Sequence, residues 1–166
     1  MQTLLNMARP GGREFFRLEL CSTIQQSVEF LAEKLRRSAV ITELDLPERV
    51  EMDGNPDKLQ QLFINLILNA VDAMPSGGTL SIQLRQHSQL AEIRVSDTGE
   101  GISDDQLQRI FEPFFTTKEA GRGNGLGLMV SKGIVRDHGG SIRVGSKLGE
   151  GTEFTIQLPL PTPESA

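Results

Sequence analysis

The chain has 166 residues, 37% of them hydrophobic and 23% charged, with a net charge of −5. That size suits about one domain with a substantial core, and the mix excludes disordered and fibrous classes. The acidic balance argues against a nucleic-acid partner, and a lone cysteine, Cys21, excludes an internal disulfide or a thiolate zinc site and points to a reducing, cytoplasmic compartment.

In chain order, "QTLLNMAR" (2–9) reads as a short helical piece ending at the breaker "PGG". "FFRLEL" (15–20) alternates like a strand, and a helical stripe of Ile24, Val28, Leu31 and Leu35 predicts a helix over Ser22–Arg37. Cys21 falls beside this stripe and reads as a small buried hydrophobe. Short strands are predicted at Ile41–Leu46 and Arg49–Met52. Asn55 followed by Pro56 is a well-formed start for a helix over 55–74. "TLSIQLR" (79–85) and "AEIRVSD" (91–97) form one hairpin, and "SIRVGS" and "TEFTIQLP" a second. Between them come a short helix (104–110), a Gly-rich segment (112–124) and a helix (125–137). No apolar run approaches the ~18 residues of a membrane span, and no signal peptide is visible. This order predicts an α+β fold: a two-layer sandwich with a mixed, mostly antiparallel sheet covered on one face by about three helices.

The helix over 55–74 carries two stripes. Leu59, Leu62, Phe63, Leu66, Ile67, Ala70, Val71 and Met74 recur at helical spacing and must face the sheet. Asn65, Asn69 and Asp72 lie three or four apart on a neighbouring stripe, although Asn and Asp each cost roughly 0.5–0.7 kcal/mol against Ala in a helix interior. Either this is a solvated face, or the oxygens line a groove and suit a hard cation such as Mg²⁺.

Two strand ends break alternation in the same direction. Asp97 shares parity with Ile93 and Val95 and so points inward, where a carboxylate needs donors. Thr152 likewise shares the inward face of Phe154, Ile156 and Leu158. "DTGEGI" is compatible with a plain strand–turn–helix connection. It also fits a ligand site in which Gly99 and Gly101 allow close approach to the backbone and Asp97 accepts from a purine amine. "FEPFFTTKEAGRGNGLGL" (111–128) leads into a helix whose free amides would suit an anion, with Lys118 as a compact cation. It contains neither GxxxxGK[ST] nor a strict GxGxxG.

Taken in order, "NLILNAVDA", "DTGEGI", "FEPFFTTK", "GNGLGL" and "GEGTEFTI" resemble the N, G1, F, G2 and G3 boxes of the catalytic ATP-binding domain of sensor histidine kinases. "FEPFFTTK" and "NAVDAM" look most like the nitrogen-regulation branch. The resemblance covers roughly residues 12–160. It implies the α/β sandwich shared with DNA gyrase and mismatch-repair ATPases, with ATP and Mg²⁺ as cofactors. It would place Mg²⁺ at Asn69, with Asn65 polarising the site and Asp72 beside them. Asp97 would receive the adenine amine, helped by Thr152, with Gly99, Gly101 and Ile102 along the nucleotide. Residues 112–124 would be the ATP lid, anchored by Phe111, Phe114 and Phe115. Thr117, Lys118, Gly123, Asn124, Gly125, Leu126, Gly127 and Leu128 would complete the phosphate side, with Lys118 catalytic alongside Asn65 and Asn69.

Gyrase-like ATPases carry a glutamate base where this chain has Asn65, so the resemblance implies phosphoryl transfer to a histidine in preference to hydrolysis. The acceptor is not evident here. His87 reads as a solvated turn residue, and His138 in "DHGG" as a helix-end residue whose charge suits the dipole. Residues 1–11 then look like the remnant of a dimerisation and phosphoacceptor hairpin, 12–160 like the catalytic domain and 161–166 like a flexible tail. The implied partners are ATP/ADP, that hairpin and a response regulator, with no nucleic acid and no direct membrane contact. An anti-sigma-type serine kinase and a nucleotide-binding regulatory module are the alternatives.

Overall fold

The computed structural model describes residues 14–113 and 127–161. Strand β1 (Phe16–Glu19) runs into α1 (Leu20–Phe30) and α2 (Ala32–Arg37), followed by β2 (Val40–Asp45), β3 (Glu51–Gly54) and α3 (Pro56–Asp72). Then come β4 (Gly78–His87), β5 (Leu90–Asp97), α4 (Asp104–Leu107), α5 (Gly127–Asp137), β6 (Ser141–Lys147) and β7 (Gly151–Pro159).

The main sheet has the order β2-β4-β5-β7-β6, parallel at β2–β4 and antiparallel elsewhere, while β1 and β3 form a separate two-stranded ribbon. Both predicted hairpins form, with Ile82 opposite Val95 and Ile142 opposite Ile156. The inward sides of β4, β5 and β7 present Leu80, Ile82, Leu84, Ile93, Val95, Ile156 and Leu158, all at most 2% exposed. They meet the apolar stripe of α3, in which Leu59, Leu62, Phe63, Leu66 and Ile67 are at most 1% exposed. Each such side chain contributes about 1.5–3 kcal/mol by leaving water, so this interface is a large part of the drive for folding. The opposite sheet face is polar, as a one-sided antiparallel sheet permits.

α3 begins as its sequence predicts: Asn55 Oδ1 accepts from Lys58 N at 3.1 Å, with Pro56 in the first helical position. The predicted helix over Ser22–Arg37 differs in two ways. It starts at Leu20 because the Glu19 carboxylate caps it, accepting from Cys21 N and Ser22 N. It also breaks at Leu31, where φ −103 and ψ 13 leave the helical ladder. Leu31 and Leu35 are both buried there, so core packing sets the break without a Gly or Pro. Strand β3 lies two residues later than predicted, and α4 is shorter, capped by Ser103 Oγ accepting from Gln106 N.

Candidate functional site

Asn65, Asn69 and Asp72 are half-buried along the edge of α3, beside the stripe that seals the core. The Asn65 side-chain amide donates to the Gly127 carbonyl at 3.4 Å, and Ser131 Oγ donates to the same carbonyl at 2.8 Å. Asn65 therefore faces the first turn of α5, not open water, and this contact helps offset its poor helix propensity. Among the described residues, a side chain added at Gly127 would meet nothing within 4 Å. Leu128 is half-buried against the core.

At the far end of α3 the strand ends converge. Asp97 closes β5 on the inward parity its sequence predicts, and its Oδ1 accepts from Gly99 N at 2.8 Å and Thr152 N at 3.3 Å. Burial pushes the Asp97 carboxyl above its ordinary range, and the two backbone donors counter this only in part. Among the described residues, Oδ2 accepts no hydrogen bond. Thr152 is 6% exposed and sits directly opposite Asp97 on β7, with Ser146 opposite it on β6. Asp97, Thr152 and Ser146 thus form one row across three strands.

Ser146 is absent from the residues singled out in the sequence. Its Oγ accepts from Ile102 N at 2.7 Å, donates to Gly151 O at 2.8 Å and lies 2.9 Å from Thr152 Oγ1. It shares strand parity with Ile142 and Val144, the same signal that flags Asp97 and Thr152, and that signal could have found it. Gly99 and Gly101 have a cause the sequence does not disclose. A Cβ at Gly99 would lie 2.3 Å from Ala73 O, and one at Gly101, where φ is +77, would lie 2.1 Å from Lys147 O. Both glycines are needed to bring the protein's own backbone together around Asp97, before any ligand is considered.

Phe111 packs edge-on against Phe154 at 6.5 Å, and Lys132 Nζ stands 5.3 Å over the Phe111 ring. This pins the end of the α4 turn to the core of β7 and to α5, and Lys132 is a second residue the sequence reading did not single out. Phe114, Phe115, Thr117, Lys118, Gly123, Asn124, Gly125 and Leu126 lie outside the described residues.

His138 takes the capping role expected of it at the helix end, but as a neutral ring and not as a cation. Its Nε2 accepts from Asn55 N at 3.0 Å and its Nδ1 donates to Ile134 O at 2.8 Å, which is the neutral tautomer tying the end of α5 to the cap of α3. His87 is exposed as expected, although it is the last residue of β4 and the turn itself follows it. Cys21 is buried and donates to Pro47 O, and burial together with the adjacent Glu19 carboxylate pushes its thiol up to about 11, which makes it inert at neutral pH. Among the described residues, no helix is long and apolar enough to cross a membrane.

Comparison with known proteins matches residues 54–162 to the family described as histidine kinase-, DNA gyrase B- and HSP90-like ATPase. The sensor histidine kinase ZraS of Escherichia coli is 35% identical over 158 residues, which is 95% of this chain and 34% of that protein. The chain thus spans about a third of the length of this curated relative. The solved catalytic domain of histidine kinase ThkA superposes with a TM-score of 0.80 at 28% identity, covering 89% of this chain and 99% of that one. A structure of ThkA in complex with the response regulator protein TrrA gives a TM-score of 0.79 at 26% identity, covering 99% of this chain and 47% of that one. The likeness holds in sequence and in backbone alike, and the chain belongs to the histidine kinase-, DNA gyrase B- and HSP90-like ATPase family.

Proposed function

We propose that this chain is the catalytic domain of a cytoplasmic protein histidine kinase, which binds Mg-ATP and passes its γ-phosphoryl group to a histidine on a helical hairpin outside the chain. The observation that carries the reading is Asn65. An amide that donates to Gly127 O has no basic atom to activate water. The unprotonated nitrogen of a neutral imidazole attacks without first losing a proton, so a histidine acceptor needs positioning and charge neutralisation more than a base.

The remaining roles are proposed on the resemblance, with support from the described geometry where it reaches. Asp97 offers an unused carboxylate oxygen to a base amine, and Thr152 stands beside it. Gly99, Gly101 and Ile102 follow Asp97 in the chain and would line the nucleotide, with Phe111 and Leu128 completing the site. Asn65 faces the start of α5, and Asn69 and Asp72 share its stripe, so the phosphates would lie between that stripe and the amides from Gly127 onward. Lys118 and the run from Gly123 to Leu126, with Phe115 and Thr117, would close the phosphate side. The donor set suits Mg²⁺: carboxamide and carboxylate oxygens in small number, with no cluster of three His, Cys, Asp or Glu side chains among the described residues. Asn69 is the position that would hold the ion, which when bound neutralises charge on the phosphates. The partners proposed are the acceptor hairpin and a response regulator, the latter supported by ThkA's complex with TrrA.

The test supplies a helical hairpin bearing the acceptor histidine of a close relative, together with labelled ATP. Acid-labile, base-stable phosphate on the hairpin is expected. Label confined to an acid-stable Ser or Thr product, or hydrolysis without transfer, would refute the reading.

A further inference from the structure

The row Asp97–Thr152–Ser146 has a hydrogen-bond direction that the atoms themselves decide. A serine hydroxyl carries one proton and two lone pairs. At Ser146 Oγ three partners lie within reach: Ile102 N at 2.7 Å, Gly151 O at 2.8 Å and Thr152 Oγ1 at 2.9 Å. The amide can only donate and the carbonyl can only accept. If the Ser146 proton went to Thr152, the contact with Gly151 O would be left as two facing oxygens with no proton between them. One assignment satisfies all three contacts: Ile102 N–H and Thr152 O–H both donate to Ser146, and Ser146 donates to Gly151 O.

The consequence falls on Thr152. With its only proton committed to Ser146, its hydroxyl has lone pairs alone for any further partner. Its neighbour Asp97, when ionised, is likewise an acceptor. The base end of the pocket therefore presents acceptors side by side, which an exocyclic amine matches and a ring carbonyl opposes. A carbonyl placed there would face lone pairs, and burial makes such a mismatch costly.

Resting on the nucleotide-binding reading above, we propose that Ser146 is a positioning residue for base discrimination: by holding the Thr152 proton it keeps the pocket acceptor-only and so selects 6-amino over 6-oxo purines. Removing the Ser146 hydroxyl frees the Thr152 proton to turn toward a 6-oxo group and relaxes that selection. Loss of the Ile102 contact alone would loosen the β5–α4 connection and weaken both kinds of base together.

The experiment measures dissociation constants of ADP and of inosine diphosphate for the whole chain by calorimetry, in wild type and in Ser146→Ala. The IDP-to-ADP ratio is expected to fall by about five- to tenfold in the variant, one neutral hydrogen bond's worth of preference. An unchanged ratio, whether both affinities hold or both fall, would overturn the proposal, because a purely structural Ser146 moves both together. Should Ser146→Ala fail to fold, Ser146→Cys carries the same test. Its sulfur is a poor donor and acceptor of similar shape, and the ratio should again fall. Failure of wild type to bind ADP at all would instead overturn the nucleotide-binding reading, and this inference with it.

Discussion

At the scale of single residues, Asp97 is a half-buried carboxyl whose ionisation costs the fold stability. Its carboxyl is raised because burial outweighs the two backbone donors. A folded-state value above the unfolded one means that ionisation costs the folded protein. The stability associated with the protonated form is present at acid pH and is lost as pH rises through the folded value. Asn in its place keeps an acceptor for Gly99 N and Thr152 N and removes the buried charge. Asp97→Asn is therefore expected to melt above wild type at pH 7 in the absence of nucleotide, with the gain vanishing below pH ~4 where both forms are neutral. The same variant should bind ADP at least about tenfold more weakly, since it turns one acceptor into a donor against the base amine. Melts with and without ADP across pH read both effects. A variant less stable than wild type at neutral pH would mean that Asp97 serves the fold first.

Glu19 is the opposite case, and its effect belongs to the elements it joins. Burial pushes its carboxyl up, but donors from Val50 N, Cys21 N and Ser22 pull harder and hold it at about 2. It caps α1 and at the same time clamps the residue that leads into β3. Because the folded value lies below the ordinary 4.5, its contribution is complete above that pH and is lost as pH falls toward 2. Allowing for solvent screening of a partly exposed group, Glu19→Gln should lower unfolding free energy by about 2 kcal/mol at pH 7, with the difference shrinking between pH 4.5 and 2. Urea titrations at several pH values would measure this. A pH-independent difference would assign Glu19 a packing role only. The cap also explains what the sequence conceals. Glu is not among the usual N-cap residues, so the start of α1 is read two positions late. By contrast, α3 is legible because cap, proline and stripe all agree. In the site, parity alone exposes Asp97 and Thr152, and applied to "SIRVGS" it would have exposed Ser146. The tight backbone approaches at Gly99 and Gly101 have no such signal, because they depend on Ala73 and Lys147, which only the folded chain brings near.

At the scale of the whole molecule, the site is assembled from pieces far apart in sequence. α3 supplies the oxygens, the ends of β5, β6 and β7 supply the acceptor row, and α5 supplies the facing turn. His138 ties the end of α5 to the cap of α3, so the two helices that bound the proposed site are joined directly. A ligand that touches all of these binds only the assembled state, and its affinity then appears as stability of the entire fold. ADP at 100 times its dissociation constant would add about 2.7 kcal/mol, which for a domain of this size is a rise in melting temperature of about 5–10 °C. Part of that rise should depend on Mg²⁺. Asn69→Ala is expected to lose the magnesium-dependent part and keep the remainder, whereas Asp97→Asn, binding about tenfold more weakly, should lose about half of the whole increment at the same ADP concentration, because the proposed base contact would anchor the nucleotide with or without the ion. Thermal melts with ADP, with and without Mg²⁺ and with a chelator control, separate these contributions. If Asn69→Ala kept the full magnesium increment, the ion would be held elsewhere, and α3's polar stripe would have to be explained by its contact with α5 alone.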